Sequence, residues 1–362
     1  MTSVFVFISG ATLLIVSAEK LIAHLVGAAS GLRVPLFLLA IVFTGIEFDD
    51  ITLGVALNLE DLSGVALGVV FGTALSFTGV VLALAAILEP SEVDVPRDYV
   101  VLLAGAPLVM VVFTLTAPLT VTDGLVLLGL FVAFLAYVAV QEIRRSVPVF
   151  RDEEVFEAAA VGGTGGGVPA PPAAETDEAD GGGAWADAEL EQQIVDDLPF
   201  ARPRELPGWA HLGLAGLALA GLVVGAATTS IGTEGILEAY GLEGTVFGAT
   251  VVTAVLTLED LFLTVEPFRK GVPEIGVGNV IGSVVFSVTG KLGITLLAGG
   301  IVIGPDVLIW HLPSLIALTG FAAYCLSTGR LKRWHGCTLL ALYVVYWVVS
   351  FVAFGGAPVE LD

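Results

Sequence analysis

Residues 241–293 read GLEGTVFGATVVTAVLTLEDLFLTVEPFRKGVPEIGVGNVIGSVVFSVTGKLG, and this stretch decides the fold. It holds most of two apolar runs, 244–265 and 274–300, separated by a break that contains Arg269 and Lys270. Each run is long enough to cross a hydrocarbon core of roughly 30 Å at about 1.5 Å per residue. Inside the runs lie Glu259, Asp260 and Lys291, which lipid would not tolerate without a use. The same pattern occurs earlier in the chain. Residues 31–79 align without a gap on 241–289 at an offset of 210, matching Gly31 to Gly241, Asp50 to Asp260, Gly68 to Gly278 and Gly72 to Gly282. Val and Leu identities follow from composition, whereas a matched intramembrane Asp and matched glycines point to an internal repeat. Gly10-Ala11 precedes Glu19 as Gly225-Ala226 precedes Glu234, so the echo extends to the preceding helices.

Working outward, apolar runs near 3–18, 34–57, 64–88, 99–117, 124–143, 210–232, 244–265, 274–300, 307–328 and 336–355 predict an all-α membrane protein of ten transmembrane helices. With 56% hydrophobic residues, 14% charged residues and a mean hydropathy of +0.95, a soluble domain is excluded as the main body of the chain. Three regions follow: a first membrane half at 1–150, an acidic Gly/Pro-rich linker at 151–208 and a second membrane half at 209–362. The linker holds thirteen acids between Asp152 and Asp197 and no Lys or Arg in that interval, which is over half of the net charge of −22. Its Gly runs and scarcity of large apolar residues predict a disordered or only locally helical tether. Those acids suit a high-salt cytoplasm and hence a halophile, and the charge balance excludes nucleic acid as a partner. Two cysteines, four scattered histidines and no H-E-x-x-H pattern give no Cys or His metal site, no catalytic residues and no cofactor. The protein is expected not to be an enzyme, and the first run reads as a span, with no basic n-region to mark a cleavable signal peptide.

Basic residues set the orientation, because they mark cytoplasmic flanks. With the N-terminus outside, thirteen of the fourteen Lys and Arg residues fall on inner flanks, and the fourteenth is Lys291 within the eighth span. The reading is therefore a multi-pass protein of the cell membrane with both termini outside and 151–208 in the cytoplasm. Five spans in each half, an odd number, make the two repeats enter the membrane from opposite sides. This is the plan of two inverted five-helix repeats, with a binding site near the midplane where they meet.

The second span contains Thr44-Gly45-Ile46-Glu47-Phe48-Asp49-Asp50 and the seventh Thr257-Leu258-Glu259-Asp260. An ionised carboxylate at a helix centre costs about 2.5 to 3.5 kcal/mol even on the lenient insertion scale, so five of them mark a polar cavity. Glu47 and Asp50 are three residues apart on one helix face, and Thr257 and Asp260 are their repeat equivalents. Asp50 and Asp260 are the expected central ligands, with Glu47, Thr73, Thr257, Asn279 and Ser283 around them. Hard oxygen ligands of this kind suit Ca²⁺, Na⁺ or H⁺. Gly68, Gly72, Gly278 and Gly282 provide surfaces where helices approach closely. Lys291, Asp49 and Glu259 are assigned to charge compensation or support of the ligands, since five ionised acids need cations, protons or a fixed positive partner.

GVGNVIGSVVFSVTGKLG, at 276–293, resembles the second alpha-repeat of the calcium/cation antiporter superfamily, which includes the sodium/calcium exchangers, and 31–79 resembles the first. That family's repeats usually carry G-T-S-x-P-E, whose Glu is the principal ion ligand, and G-N-x-x-G-S-N-x-x-[ND]. Asp50 and Asp260 stand at the Glu positions, while Asp49 and Glu259 replace both prolines and Ile46 and Leu256 replace the hydroxyl residues. Gly278, Asn279, Gly282 and Ser283 keep the second pattern, and Gly68, Gly72 and Thr73 keep part of it in the first repeat. The resemblance implies a secondary active cation antiporter exchanging Ca²⁺ against Na⁺ by alternating access, with transported ions as substrates.

Plainer readings stand beside these. Asp50 and Asp260 pair with backbone or water in a packed bundle; Asp49 and Glu259 face an aqueous vestibule; Lys291 snorkels along its stem to an interface; Asn279, Ser283 and Thr73 only bind neighbouring helices. Two alternative functions also remain, a proton-coupled exchanger and a non-transporting sensor or scaffold acting through the linker.

Overall fold

In lipid every backbone N–H and C=O must be satisfied within the segment, so runs of Leu, Val, Ala and Gly of this length fold as helices. The computed structural model describes residues 2–30, 47–93, 95–116, 118–144, 208–269 and 273–355. Its helices are α1 (Thr2–Ser30), α2 (Phe48–Leu59), α3 (Ser63–Leu88), α4 (Arg97–Leu115), α5 (Val121–Arg144), α6 (Gly208–Tyr240), α7 (244–269), α8 (273–298), α9 (Val307–Ser327) and α10 (Arg333–Phe354). Eight of them, all but α2 and α7, are long and apolar enough to cross a membrane. The predicted second span began at 34, and its first part lies outside the described residues, as does the linker up to 207. The first run was expected to end near 18, but α1 continues to Ser30. Residues 19–30 are rich in the helix formers Ala and Leu, which carry the helix past its apolar window.

Helices α3 and α8 form the centre. Within their apolar windows 83% and 89% of residues are buried, against 22–50% in the other spans, so the remaining helices carry the surface that faces lipid. The two central helices are built alike. Segments Ser63–Ser76, Phe77–Val81 and Leu82–Leu88 in α3 correspond to Pro273–Phe286, Ser287–Lys291 and Leu292–Ala298 in α8, each boundary offset by 210 residues. The middle segment of each is a π-helical turn, a widened turn with i→i+5 bonds. The repeat spacing read from the sequence thus reappears in the local backbone.

Small residues set how closely the helices approach. A Cβ on Gly72 of α3 would come within 2.7 Å of Ala249 Cα on α7, and one on Gly225 of α6 within 2.6 Å of Leu14 N on α1. The neighbouring Ala11 and Ala226 are buried in the same α1–α6 seam, which explains the repeated Gly-Ala pairs. Helix ends that the basic-residue reading places on one side also meet. After α3, β1 (Ser91–Glu92) pairs antiparallel with β2 (Arg330–Leu331), which lies between α9 and α10. Near the opposite ends, Leu119 bridges Ile301, and Glu243 N donates to Gly355 O at 3.0 Å. Asn58, at the end of α2, donates to Thr295 O and Gly299 O at 2.9 Å each.

Candidate functional site

The sequence places Glu47 and Asp50 together on a helix face; in the structure a helix start lies between them. Glu47 is the N-cap residue of α2, extended at φ −80° and ψ 93°, and its carbonyl accepts the first intrahelical bond, from Ile51 N at 3.0 Å. Asp49 and Asp50 then occupy the first turn. This is the favourable end of a helix for negative charge, since unpaired N–H groups and the helix dipole both stabilise an anion there. The burial of Asp50, only 3% exposed, is offset in this way and by two side-chain partners. Thr73 Oγ1 on α3 donates to Asp50 Oδ2 at 3.0 Å, and the Lys291 ammonium on α8 bonds the same carboxylate oxygen.

Lys291 is the hub of the site. It is 1% exposed, ends the π-turn of α8, and lies 2.7 Å from Glu47 Oε2 as well as against Asp50. The Phe286 ring centroid is 5.8 Å from Nζ. The side chain therefore does not snorkel: its head group is held at the junction of α2, α3 and α8. The equivalent position in α3 is Val81, which is fully buried and apolar, so the two matched π-turns differ in charge.

The other predicted residues divide between this cluster and its surroundings. Thr257 on α7 shares a 2.8 Å hydroxyl contact with Ser76 of α3, while Ser76 donates to Thr73 O at 3.1 Å, so a buried polar path runs from Asp50 through Thr73 and Ser76 to Thr257. Asn279 faces elsewhere in α8 and donates to Thr264 Oγ1 of α7 at 3.0 Å. Asp260 is half-buried on α7 and Asp49 half-buried on α2. Glu259 lies in the same turn of α7 as Asp260. Among the described residues no three His, Cys, Asp or Glu side chains converge as a metal-binding group; Glu47 and Asp50 converge on an ammonium instead. Sequence reasoning missed Ser76 and Thr264. Ser76 was within reach, because it follows Thr73 by three residues on one helix face.

A bundle with lipid-facing outer helices around two central helices, and with a charged, hydroxyl-lined centre, defines a multi-pass membrane protein built to handle small ions. The family model for sodium/calcium exchanger protein matches residues 2–140 and 210–352, most of the chain, and the chain belongs to that family of cation exchange transporters. Sodium/calcium exchanger MaX1 of Methanosarcina acetivorans is 33% identical over 136 residues, 37% of this chain and 39% of that relative, so this match spans about two fifths of the relative's length. A protein of Alkalimonas amylolytica named as a candidate antiporter, CaxA, is 24% identical over 361 residues, covering 96% of this chain and 98% of its own. In fold, the chain is similar to the solved sodium-calcium exchanger NCX_Mj soaked with Na⁺ and Sr²⁺, with a TM-score of 0.53, 20% identity, and coverage of 95% of this chain and 96% of that one.

Proposed function

We propose that the protein is a secondary active antiporter that exchanges Ca²⁺ against Na⁺ by alternating access, with Asp50 and Asp260 as the central acids and Glu47, Thr73, Thr257, Asn279 and Ser283 supplying further oxygens. The observation that carries this reading is Asp50, a carboxylate buried at a helix start in the middle of the bundle and continuous through Thr73 and Ser76 with Thr257 on the other repeat. Membership of the sodium/calcium exchanger family supports it. The same reading takes the chain as ten spans in two inverted halves, termini outside and linker inside. The matched boundaries of α3 and α8 and the pairing of loop ends across the halves support that plan.

Lys291 favours a second reading, proton-coupled exchange, because a site already holding an ammonium needs fewer metal cations for charge balance. Calcium uptake into proteoliposomes, with Na⁺ and pH gradients imposed separately, separates the two. Uptake driven by outward Na⁺ alone supports Na⁺/Ca²⁺ exchange; uptake driven only by the pH gradient supports the second reading. Uptake in neither condition overturns both.

A further inference from the structure

The centre of the bundle holds two acids and one base where a cation site is expected, and the base is fixed in the chain. Glu47 and Asp50 both direct an oxygen at Lys291 Nζ, and Thr73, which donates to Asp50, binds the same oxygen that the ammonium does. A mobile cation ligated by that pair of carboxylates would occupy the space of the ammonium and be repelled by it. We propose that Lys291 is a resident cation of the transport site: its ammonium permanently takes the place of one mobile positive charge, so the number of cations held follows the net charge of the Glu47–Asp50–Lys291 cluster. With all three ionised that charge is −1, where the two acids alone would give −2.

At the equivalent turn of the first repeat stands Val81, so among the described residues the buried ammonium belongs to the second repeat's turn. The resident charge therefore belongs to one side of the site only. It lowers by one the positive charge moved in each half-cycle. This inference rests on the antiport reading for its transport consequence, but its central claim concerns binding alone.

The test is equilibrium binding of radioactive sodium to the purified full chain in detergent, for the parent, Lys291→Met, Lys291→Arg, Glu47→Gln and Lys291→Met/Glu47→Gln. The expected result is one sodium ion more per chain in Lys291→Met, one fewer in Glu47→Gln, and parental counts in Lys291→Arg and in the double variant. Should Lys291→Met fail to fold, Glu47→Gln and the double variant, whose cluster charge equals the parent's, still carry the comparison. Equal sodium counts and affinities in the parent, Glu47→Gln and the double variant would overturn the proposal. Absence of transport by the parent in proteoliposomes, with binding counts that still follow cluster charge, would overturn the antiport reading and leave the resident cation in place.

Discussion

Two acids sharing one buried ammonium should show a distinctive pattern when the acids are removed. At 2.7 Å and an effective dielectric of about 20, the Glu47–Lys291 attraction is about 6 kcal/mol, and it is opposed by several kcal/mol of desolvation for each ion. Glu47→Gln leaves Lys291 paired with Asp50, and also relieves the repulsion between the acids, so its cost should stay near about 1 kcal/mol. Asp50→Asn leaves the Glu47 pair and still offers an oxygen to Thr73, but it loses the favourable charge at the start of α2, for about 1 to 2 kcal/mol. Removing both acids strands a fully buried ammonium, which typically costs about 3 to 5 kcal/mol. The double variant should therefore lose more than the sum of the singles, and adding Lys291→Met to it should restore most of the loss. Reversible unfolding in mixed micelles, in buffer free of Na⁺ and Ca²⁺, would measure this cycle. Additive losses, with no recovery on removing Lys291, would refute the shared-ammonium argument.

The Ser76–Thr257 contact predicts that Ser76→Ala costs about 1 to 3 kcal/mol by stranding the buried Thr257 hydroxyl, that Thr257→Val costs less because Ser76 keeps Thr73 O, and that adding Thr257→Val to Ser76→Ala recovers part of the loss in the same unfolding assay. Gly72→Val should be destabilising by at least about 1 to 3 kcal/mol and should reduce exchange, because its side chain would enter the α7 backbone at Ala249. In a background lacking Cys325 and Cys337, cysteines at Glu92 and Arg330 should cross-link and label from the same face as residue 180, with residue 358 labelling from the other; labelling of 180 and 358 from one face would overturn the orientation. His24, beyond the apolar window of α1, lies 3.4 Å from His211, and burial, followed by His211 and Lys20, holds its pKa below the usual value. Protonation then favours the unfolded chain, so stability should fall as pH drops below the ordinary histidine value toward the lowered one, and His24→Gln should flatten that limb of the pH–stability curve.

Much of this was legible in the sequence because lipid imposes simple rules. Apolar length marked out the helices, and the cost of an intramembrane charge singled out Asp50 and Lys291. The offset of 210 residues, read from glycines and one Asp, reappears in the boundaries of α3 and α8, and two of those glycines, Gly68 and Gly72, sit where α3 and α7 approach closely. Sequence periodicity did not reveal the helix start at Phe48. An apolar run does not show where within it a helix begins, and neither of the usual prolines marks the place. Hydrophobic counting likewise says nothing of π-turns, which change backbone hydrogen bonding without changing composition.

Those two unseen backbone features make the site. If the helix containing Asp50 ran straight through Glu47, the two acids would project from the middle of a helix, and their charge would gain nothing from free N–H groups. The start at Phe48 places Asp50 at the positive end of α2, with Glu47 as its extended N-cap residue. A π-turn inserts one residue into the helical repeat, which rotates the residues beyond it by about 100° relative to a regular helix. In α8 that turn ends at Lys291 and delivers the ammonium to both acids; in α3 the same turn ends at Val81 and packs into the apolar core. The duplicated backbone thus supplies the same turn twice, and only the second copy ends in a charged residue. Val81→Lys, placed in a Lys291→Val background, would exchange that difference between the repeats. If side-chain charge at this turn sets how many cations bind, sodium binding in the swapped variant should match that of Lys291→Val when the new ammonium cannot reach Glu47 and Asp50, and that of the parent when it can. A sodium count matching neither would refute the link between charge at this turn and the number of cations bound.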